Sequence, residues 1–168
     1  QKMNADTASV YSSFQSIIGN IQVEFRLAQL DPNGNCTNGI DRIETPLTYS
    51  GDDASKLNYW PCQSYMTVWT VASMANAGTA GYSYYPGSAP ANKDGIIILH
   101  DYIGSIGTGQ VAYSRALTHE VGHWLNLQHP WGSTNQPGVA CGDDLVSDTP
   151  LTKGWTTCPS PTGAMVCT

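Results

Sequence analysis

The chain has 168 residues, of which 40% are hydrophobic and 12% charged, and its formal net charge is -6. This composition suits one compact domain and argues against disorder. Lysine and arginine total seven residues that form no run, so the sequence predicts no nucleic-acid-binding surface. No apolar run approaches the roughly 20 residues of a membrane span, and we expect no membrane partner.

The chain contains five cysteines, 17 glycines and 10 prolines, and no two cysteines form a CxxC pair. These features argue against a structural cysteine–zinc site and are typical of a secreted, disulfide-using protein. Cys36 and Cys62 bracket a polar region at 31–62, and we expect a disulfide between them. The odd count leaves one thiol that is either free or paired outside the chain.

The first thirty residues predict one helix and one strand. Apolar residues follow helical spacing within 5–18, and Gly19 is suited to ending that helix. Residues 20–30 then alternate apolar and polar side chains, which predicts a half-buried strand.

Three more strands and a second helix are predicted in the middle of the chain. We expect strands at 64–72, at 79–87, where the polar and aromatic character suits a sheet edge, and at 94–101, where a continuous apolar run indicates a buried central strand. A helix is predicted from about 110 to 127. Residues 130–168 are rich in Gly, Pro, Ser and Thr and show little periodicity.

Three of the four histidines lie between His119 and His129, in the stretch HEVGHWLNLQH. On a helix, residues four apart share a face, so His119 and His123 can bind one ion, and two imidazoles at this spacing suit zinc. Glu120 lies one position round the helix, where its carboxylate can accept a proton from a water beside the ion.

His129 reaches the same ion only if the helix ends and the chain turns sharply after His123. The turn falls near Asn126, and asparagine is the residue after glycine that best tolerates the left-handed backbone such a turn needs. The pattern is HExxHxxNxxH, a variant of the zinc signature HExxHxxGxxH. A metal-free cluster of surface histidines is the alternative interpretation. His100, after a strand, is expected to be a hydrogen-bonded residue at the rim.

The histidine stretch and the following CGDDLVSDTP resemble the pappalysin family of metzincin metallopeptidases. The upstream segments VEFRLAQLDPNGNCTNGI, YMTVWTV, AGYSYYPG and DGIIILHD are similar in the same order, so the resemblance covers nearly the whole chain. It implies one α+β catalytic domain with a twisted, mostly parallel sheet, an antiparallel edge strand, a backing helix, an active-site helix and an irregular C-terminal part. Residues 1–129 would form the N-terminal subdomain, and 130–168 would begin the C-terminal subdomain.

The resemblance also implies roles for individual residues. His119, His123 and His129 match the zinc ligands, and Glu120 matches the general base and acid. A calcium site near the cleft is implied at Asp143, Asp144, Ser147 and Thr149, although local turn and cap hydrogen bonds are the alternative reading of that loop. The edge strand implied to bind an extended substrate consists of Ala80, Gly81, Tyr82, Ser83 and Tyr84. Cys141 is expected to pair with Cys167.

Two departures from the family pattern accompany these matches. Metzincins have a methionine turn beneath the zinc, and Met165 precedes Cys167, whereas the family's turn follows the corresponding cysteine. Family members also begin with a strand and most of a helix before the point that matches Gln1. We therefore expect a central fragment of a longer protein, in which Cys158 pairs with a cysteine beyond the methionine turn.

The predicted function is that of a secreted, monomeric zinc endopeptidase that hydrolyses peptide bonds in extended peptide or protein substrates, with Glu120 as base and acid. A zinc-binding but inactive peptide-binding domain is the alternative, because the methionine turn is absent. A calcium-stabilised adhesion domain would explain the acidic loop but not the three histidines.

Overall fold

The computed structural model describes residues 12–132, 141–154 and 167. Three strands carry the fold, namely β1 (Val68–Val71), β2 (Gly81–Ser83) and β3 (Ile96–Leu99), and one α-helix follows them, α1 (Ala116–Trp124). Short 3-10 helices occupy Ser12–Ile17, Pro46–Tyr49, Asp53–Ser55, His100–Tyr102 and Val111–Tyr113. No helix in these ranges is both long and apolar enough to cross a membrane.

The three strands form one sheet in the order β1-β3-β2. β1 and β3 are parallel, with Val68 opposite Ile96, and β2 is antiparallel to β3, with Gly81 opposite Ile98. The central strand β3 has no exposed area at its three isoleucines, as expected for the run predicted at 94–101. The predicted antiparallel edge strand is β2, so this part of the α+β architecture is confirmed.

The side chains of β3 alternate between the two faces of the sheet. Ile97 packs with Trp69 and Val71 on one face, while Ile96 and Ile98 pack with Val121 of α1 on the other. This alternation follows from the two-residue period of a strand. It seats the helix that carries the histidines directly on the central strand.

The strand predicted at 20–30 is not formed. Leu27 is 65% exposed and Gln22 adopts a left-handed φ of 53°, with its N–H donated to the Asn20 side chain at 2.9 Å. A cavity of about 800 Å³ lies between residues 26–28 and β1. Alternation gives a segment an apolar face, but a strand also needs a neighbour for its backbone groups, and no described strand pairs with this segment.

The helix predicted at 110–127 is shorter than its sequence pattern suggested. Val111–Tyr113 is a separate 3-10 turn, and the α-helix begins only at Ala116. The ring of Tyr113 stacks on Tyr102 at 4.4 Å, which holds this turn against the preceding loop.

The helix predicted at 5–18 is described only in part, as the 3-10 helix Ser12–Ile17. Residues 5–11 lie outside the described range.

The cysteines follow one of the two expected pairings. Cys141 and Cys167 form a disulfide, as the family resemblance implied. Cys36 and Cys62 are free thiols, so the expected Cys36–Cys62 bond is absent. Cys36 forms a local backbone β-bridge with Leu30. Two cysteines at the ends of a loop in the sequence need not lie close together in space. Cys158 lies outside the described residues.

A buried lysine lies behind the edge strand. The Lys56 side chain has no exposed area, and its Nζ lies 3.1 Å from Asp53 Oδ1 and donates to the Lys93 carbonyl at 2.9 Å. The same Nζ lies over the rings of Tyr82 and Tyr84, 4.7 and 4.6 Å from their centroids. Both tyrosine hydroxyls donate to the Asp53 carboxylate, at 2.7 and 2.6 Å. This cluster ties β2 to the Asp53–Ser55 turn.

Replacing Tyr82 with phenylalanine tests this cluster. Burial, and then the hydrogen bond to Asp53, raises the pKa of Tyr82, so the folded state favours the neutral phenol. That stability is fully present below the unfolded pKa of about 10 and is lost as the pH rises above it. We expect Tyr82→Phe to lower the free energy of unfolding by about 1 kcal/mol at pH 7 and to lose less stability than wild type above pH 10.

Urea unfolding at several pH values measures both effects. Tyr59→Phe is the matched control, because Tyr59 is 49% exposed. Identical pH dependence in wild type and Tyr82→Phe would contradict the assignment.

Candidate metal centre and active site

Three imidazoles converge at the end of α1. His119 and His123 share one face of the helix, and their Nε2 atoms lie 3.1 Å apart. The Nε2 atom of His129 lies 3.1 Å from each of them. Among the described residues, these three form the one cluster of at least three His, Cys, Asp or Glu side chains close enough to share a metal ion. The histidines predicted as ligands are therefore brought together.

The spacing of this trio fits zinc. Tetrahedral bonds of about 2.0–2.1 Å from zinc to imidazole nitrogen separate neighbouring nitrogens by about 3.3 Å, close to the separation found here. The Nδ1 atom of His123 lies 2.8 Å from the Leu127 carbonyl, to which it can only donate, so its Nε2 lone pair is free for a metal. Three protein nitrogens leave a fourth position for water or substrate, as in catalytic zinc sites.

The turn that returns His129 to the centre is a helix cap of the Schellman type. Asn126 has a φ of 72° and donates its N–H to the His123 carbonyl at 2.9 Å, while Leu127 donates to the Gly122 carbonyl at 2.9 Å. The left-handed residue predicted at Asn126 is confirmed. The same cap presents the Leu127 carbonyl to the ring of His123, which orients that imidazole.

Two of the three imidazoles, His119 and His129, are biased toward the neutral form, which is the form that binds metal. Burial, assisted by the neighbouring His123, lowers the pKa of His119. Burial also leads in lowering the pKa of His129 to about 4, with His123 and His119 adding to the shift. Neither of these rings therefore needs to release a proton at neutral pH before it can bind a cation.

Glu120 is buried between α1 and the edge strand, with 8% of its surface exposed. Burial raises the pKa of its carboxyl, against the opposing effects of His123 and of a hydrogen bond from Ser83. Ser83 Oγ donates to the Glu120 carbonyl at 2.8 Å and lies 3.5 Å from its carboxylate. A buried carboxylate beside three converging imidazoles suits proton transfer, because a raised pKa brings the carboxyl group closer to neutral pH.

The edge strand β2 lies beside this centre. Ala80 accepts a hydrogen bond from the Leu99 N–H at 2.8 Å, and Gly81–Ser83 pairs with β3 on one side only among the described residues. Tyr82 and Tyr84 point into the buried lysine cluster, while Ser83 points toward Glu120. β2 is thus an edge strand whose outer backbone groups pair with no described strand.

Two aromatic residues at the centre were not predicted from the sequence. The Tyr85 ring lies edge-on to His123 at 5.5 Å, and the Trp131 indole stacks on His129 at 4.7 Å with an interplanar angle of 6°. Their places in the sequence could have indicated them, because Tyr85 directly follows Tyr84 of the edge strand and Trp131 lies two residues after His129. His100 lies apart, with Nδ1 2.9 Å from Thr108 Oγ1, as expected for a rim residue.

The acidic loop after Cys141 is organised by local hydrogen bonds. The carboxylate of Asp143 accepts from the Leu145 N–H at 2.8 Å, and that of Asp144 from the Val146 N–H at 3.1 Å. Thr149 donates its N–H to the Val146 carbonyl at 3.1 Å. These bonds match the turn interpretation, and the metal-site assignment of Asp143, Asp144, Ser147 and Thr149 stays a prediction. Met165 lies outside the described residues.

The buried central strand, the antiparallel edge strand and the capped helix with three converging histidines define a metzincin-type domain. The sequence model of the pregnancy-associated plasma protein-A family, peptidase family M43, matches residues 48–168. The chain belongs to this family, the pappalysins.

Solved structures and curated sequences agree with this placement. The chain is 37% identical to mature mirolysin from Tannerella forsythia in complex with a cleaved peptide, with a TM-score of 0.80 over 95% of this chain and 62% of that chain. It is 38% identical over 98 residues to an extracellular metalloprotease of Colletotrichum graminicola, covering 49% of this chain. It is 36% identical over 78 residues to extracellular metalloprotease 1 of Coccidioides posadasii, covering 44%. These matches span 34% and 27% of the two curated relatives.

Substitution of Asn126 tests the cap. We expect Asn126→Val to lower the free energy of unfolding by about 1–2 kcal/mol, because a side chain branched at Cβ disfavours a positive φ. Metal binding should weaken with it, since the cap returns His129 and orients His123. Asn126→Gly is the matched control and should keep both properties. Urea unfolding and cobalt titration measure them, and equal behaviour of the two variants would refute this role.

Proposed function

We propose that this chain carries the catalytic centre of a zinc-dependent endopeptidase. The observation that carries the proposal is the trio of Nε2 atoms at 3.1 Å beside the buried Glu120. Family membership supports zinc as the metal, and the donor set fits it. The substrates would be extended peptides or proteins outside the cell, since several relatives are named extracellular metalloproteases. We expect the chain to act as a monomer.

Zinc, when bound, supplies a Lewis acid that acidifies water and polarises the scissile carbonyl. The three histidines hold the metal, and the Leu127 carbonyl keeps the ring of His123 in the binding tautomer. Glu120 accepts the proton of the attacking water and returns it to the leaving amine, a role for which its burial and raised pKa suit it. Ser83 anchors the backbone of Glu120 to the edge strand.

The substrate backbone would bind along the outer edge of Ala80–Tyr84. Adding an extended peptide to a free sheet edge gives affinity through main-chain hydrogen bonds, whatever the side chains. Because Ser83 on this strand bonds to Glu120, a peptide on the edge would lie beside the base. The mirolysin structure that resembles this chain contains a cleaved peptide, which supports a peptide as the class of substrate.

The alternative is a domain that binds zinc and peptides without cleaving them. It shares every feature of the centre except use of Glu120 as a base. Glu120 is buried beside the three histidines, and this position favours the enzyme. Burying an ionisable carboxyl group is unfavourable, so a carboxyl group in such a place is expected to have a function.

Replacing Glu120 with glutamine separates these functions. We expect Glu120→Gln to reduce cleavage of a peptide library by about 10²–10⁴-fold, because glutamine cannot accept the proton. One zinc per chain should remain bound, as measured by elemental analysis. Glu44→Gln, on the exposed surface, is the control and should cleave like wild type. Zinc loss in Glu120→Gln would contradict its assignment as a non-ligand, and a wild type that binds zinc but cuts nothing would favour the peptide-binding domain.

We also propose calcium binding by Asp143, Asp144, Ser147 and Thr149. Clustered hard oxygens suit this ion, and the proposal rests on the family resemblance of the loop. Asp144→Asn should reduce the rise in melting temperature that added calcium produces in wild type. Asp148→Asn, which changes an exposed neighbour in the same loop, should not. If calcium raises the melting temperature of neither wild type nor Asp148→Asn, the loop is a turn only.

A further inference from the structure

The third zinc ligand differs from the other two in what holds it. His119 and His123 are carried by one helix, and His123 also has the Leu127 carbonyl as an outer hydrogen-bond partner. His129 follows the helix in a loop, and no described residue bonds to its Nδ1 atom. Ligating histidines usually depend on such an outer partner for their ring orientation. The contact that His129 does make is the parallel stack with Trp131.

The backbone places Trp131 on His129 by a tight turn. Gly132 donates its N–H to the His129 carbonyl at 2.8 Å, which closes a four-residue turn with Pro130 second and Gly132 last. Proline favours the second position of such turns because its φ is already set. The turn thereby places the indole of its third residue, Trp131, over the imidazole of its first residue, His129.

A second segment packs against this indole from the C-terminal part of the chain. Gly142 and Thr152 exchange two backbone hydrogen bonds, of 2.9 and 3.0 Å, which pair the ends of the acidic loop. Gly154 is buried, and a Cβ atom there would lie 2.7 Å from Trp131 Cδ2. A Cβ on Gly142 would clash with the Trp131 carbonyl. Both positions therefore need glycine for the tryptophan to sit where it does.

The flat face of the indole makes the contact with His129, and its N–H takes no part in that contact. Its Nε1 atom is buried and has no hydrogen-bond partner among the described residues. A buried donor without a partner is unfavourable, so packing of the ring must outweigh that loss. Phenylalanine would keep a flat ring against His129 and remove the unpaired donor, which makes it a clean conservative replacement.

We propose that Trp131 is a positioning residue for the metal centre. Its indole sets the ring plane of His129 by stacking. Because the segment 142–154 packs against the indole, the position of that segment also affects the orientation of His129. The third ligand is therefore oriented by an aromatic ring, where His123 is oriented by a carbonyl. This inference rests on the proposed zinc site.

Cobalt binding to the full chain tests the proposal, because cobalt replaces zinc in such sites and its visible absorption reports ligand geometry. We expect Trp131→Ala to weaken cobalt affinity by about 10–100-fold, the usual effect of losing an outer-shell partner, and to alter the spectrum at saturation. Gly154→Ala should act in the same direction with the indole intact, because it displaces the ring. Trp131→Phe should keep the wild-type affinity and spectrum.

Controls separate this role from general destabilisation. Trp60→Ala removes a tryptophan that stacks edge-on with Tyr65 away from the centre and should leave cobalt binding unchanged. Circular dichroism checks that each variant is folded, and Trp131→Leu replaces the alanine variant if that one is not. Wild-type affinity and spectrum in the ringless variant would overturn the proposal, as would equal losses in Trp131→Phe or Trp60→Ala. If wild type itself binds no cobalt or zinc, the proposed function fails instead.

Discussion

The reversal of the chain at Leu125–Leu127 is the constraint that brings the three imidazoles together. Its backbone hydrogen bonds to Gly122 and His123 close the helix, and the left-handed Asn126 directs the chain back toward the helix face. His129 then lies beside the two helical histidines. The carbonyl of Leu127 meanwhile accepts from His123. One cap thus ends the helix, brings in His129 and orients the ring of His123, so a change of backbone conformation there would disturb two of the three proposed ligands at once.

The sheet determines what lies beside this centre. Because β3 is buried on both faces, α1 packs on it through Val121 and β2 is left as the edge. Ser83 then bonds across to Glu120, while the neighbouring tyrosines are held by Asp53 and Lys56 behind the strand. The alternation of a strand therefore separates two functions in consecutive residues. One side chain faces the proposed base, and those flanking it anchor the strand that would bind substrate.

Much of the site could be predicted because its signals are local. Histidines four apart on a helix must share a face, and Asn126 was the residue best suited to a left-handed turn before His129. The isoleucine run indicated the central strand for a similar reason, since continuous burial on both faces leaves a continuous apolar pattern. The predictions of a half-buried strand at 20–30 and of a Cys36–Cys62 disulfide were wrong, because each depended on a partner elsewhere in the chain. Alternation does not supply a pairing strand, and the sequence spacing of two cysteines does not determine their separation in space.

The amino-acid sequence alone determined which residues could bind a metal, which could transfer a proton, and where the chain had to turn between them. These properties follow from side-chain chemistry and from the geometry of a few consecutive residues. Only the tertiary structure decided that Ser83 meets Glu120, that Lys56 is buried against two tyrosines, and that Trp131 packs against Gly154. Each of these contacts joins segments far apart in the chain. Such contacts depend on how all the segments pack together, and a local sequence pattern carries no information about that packing.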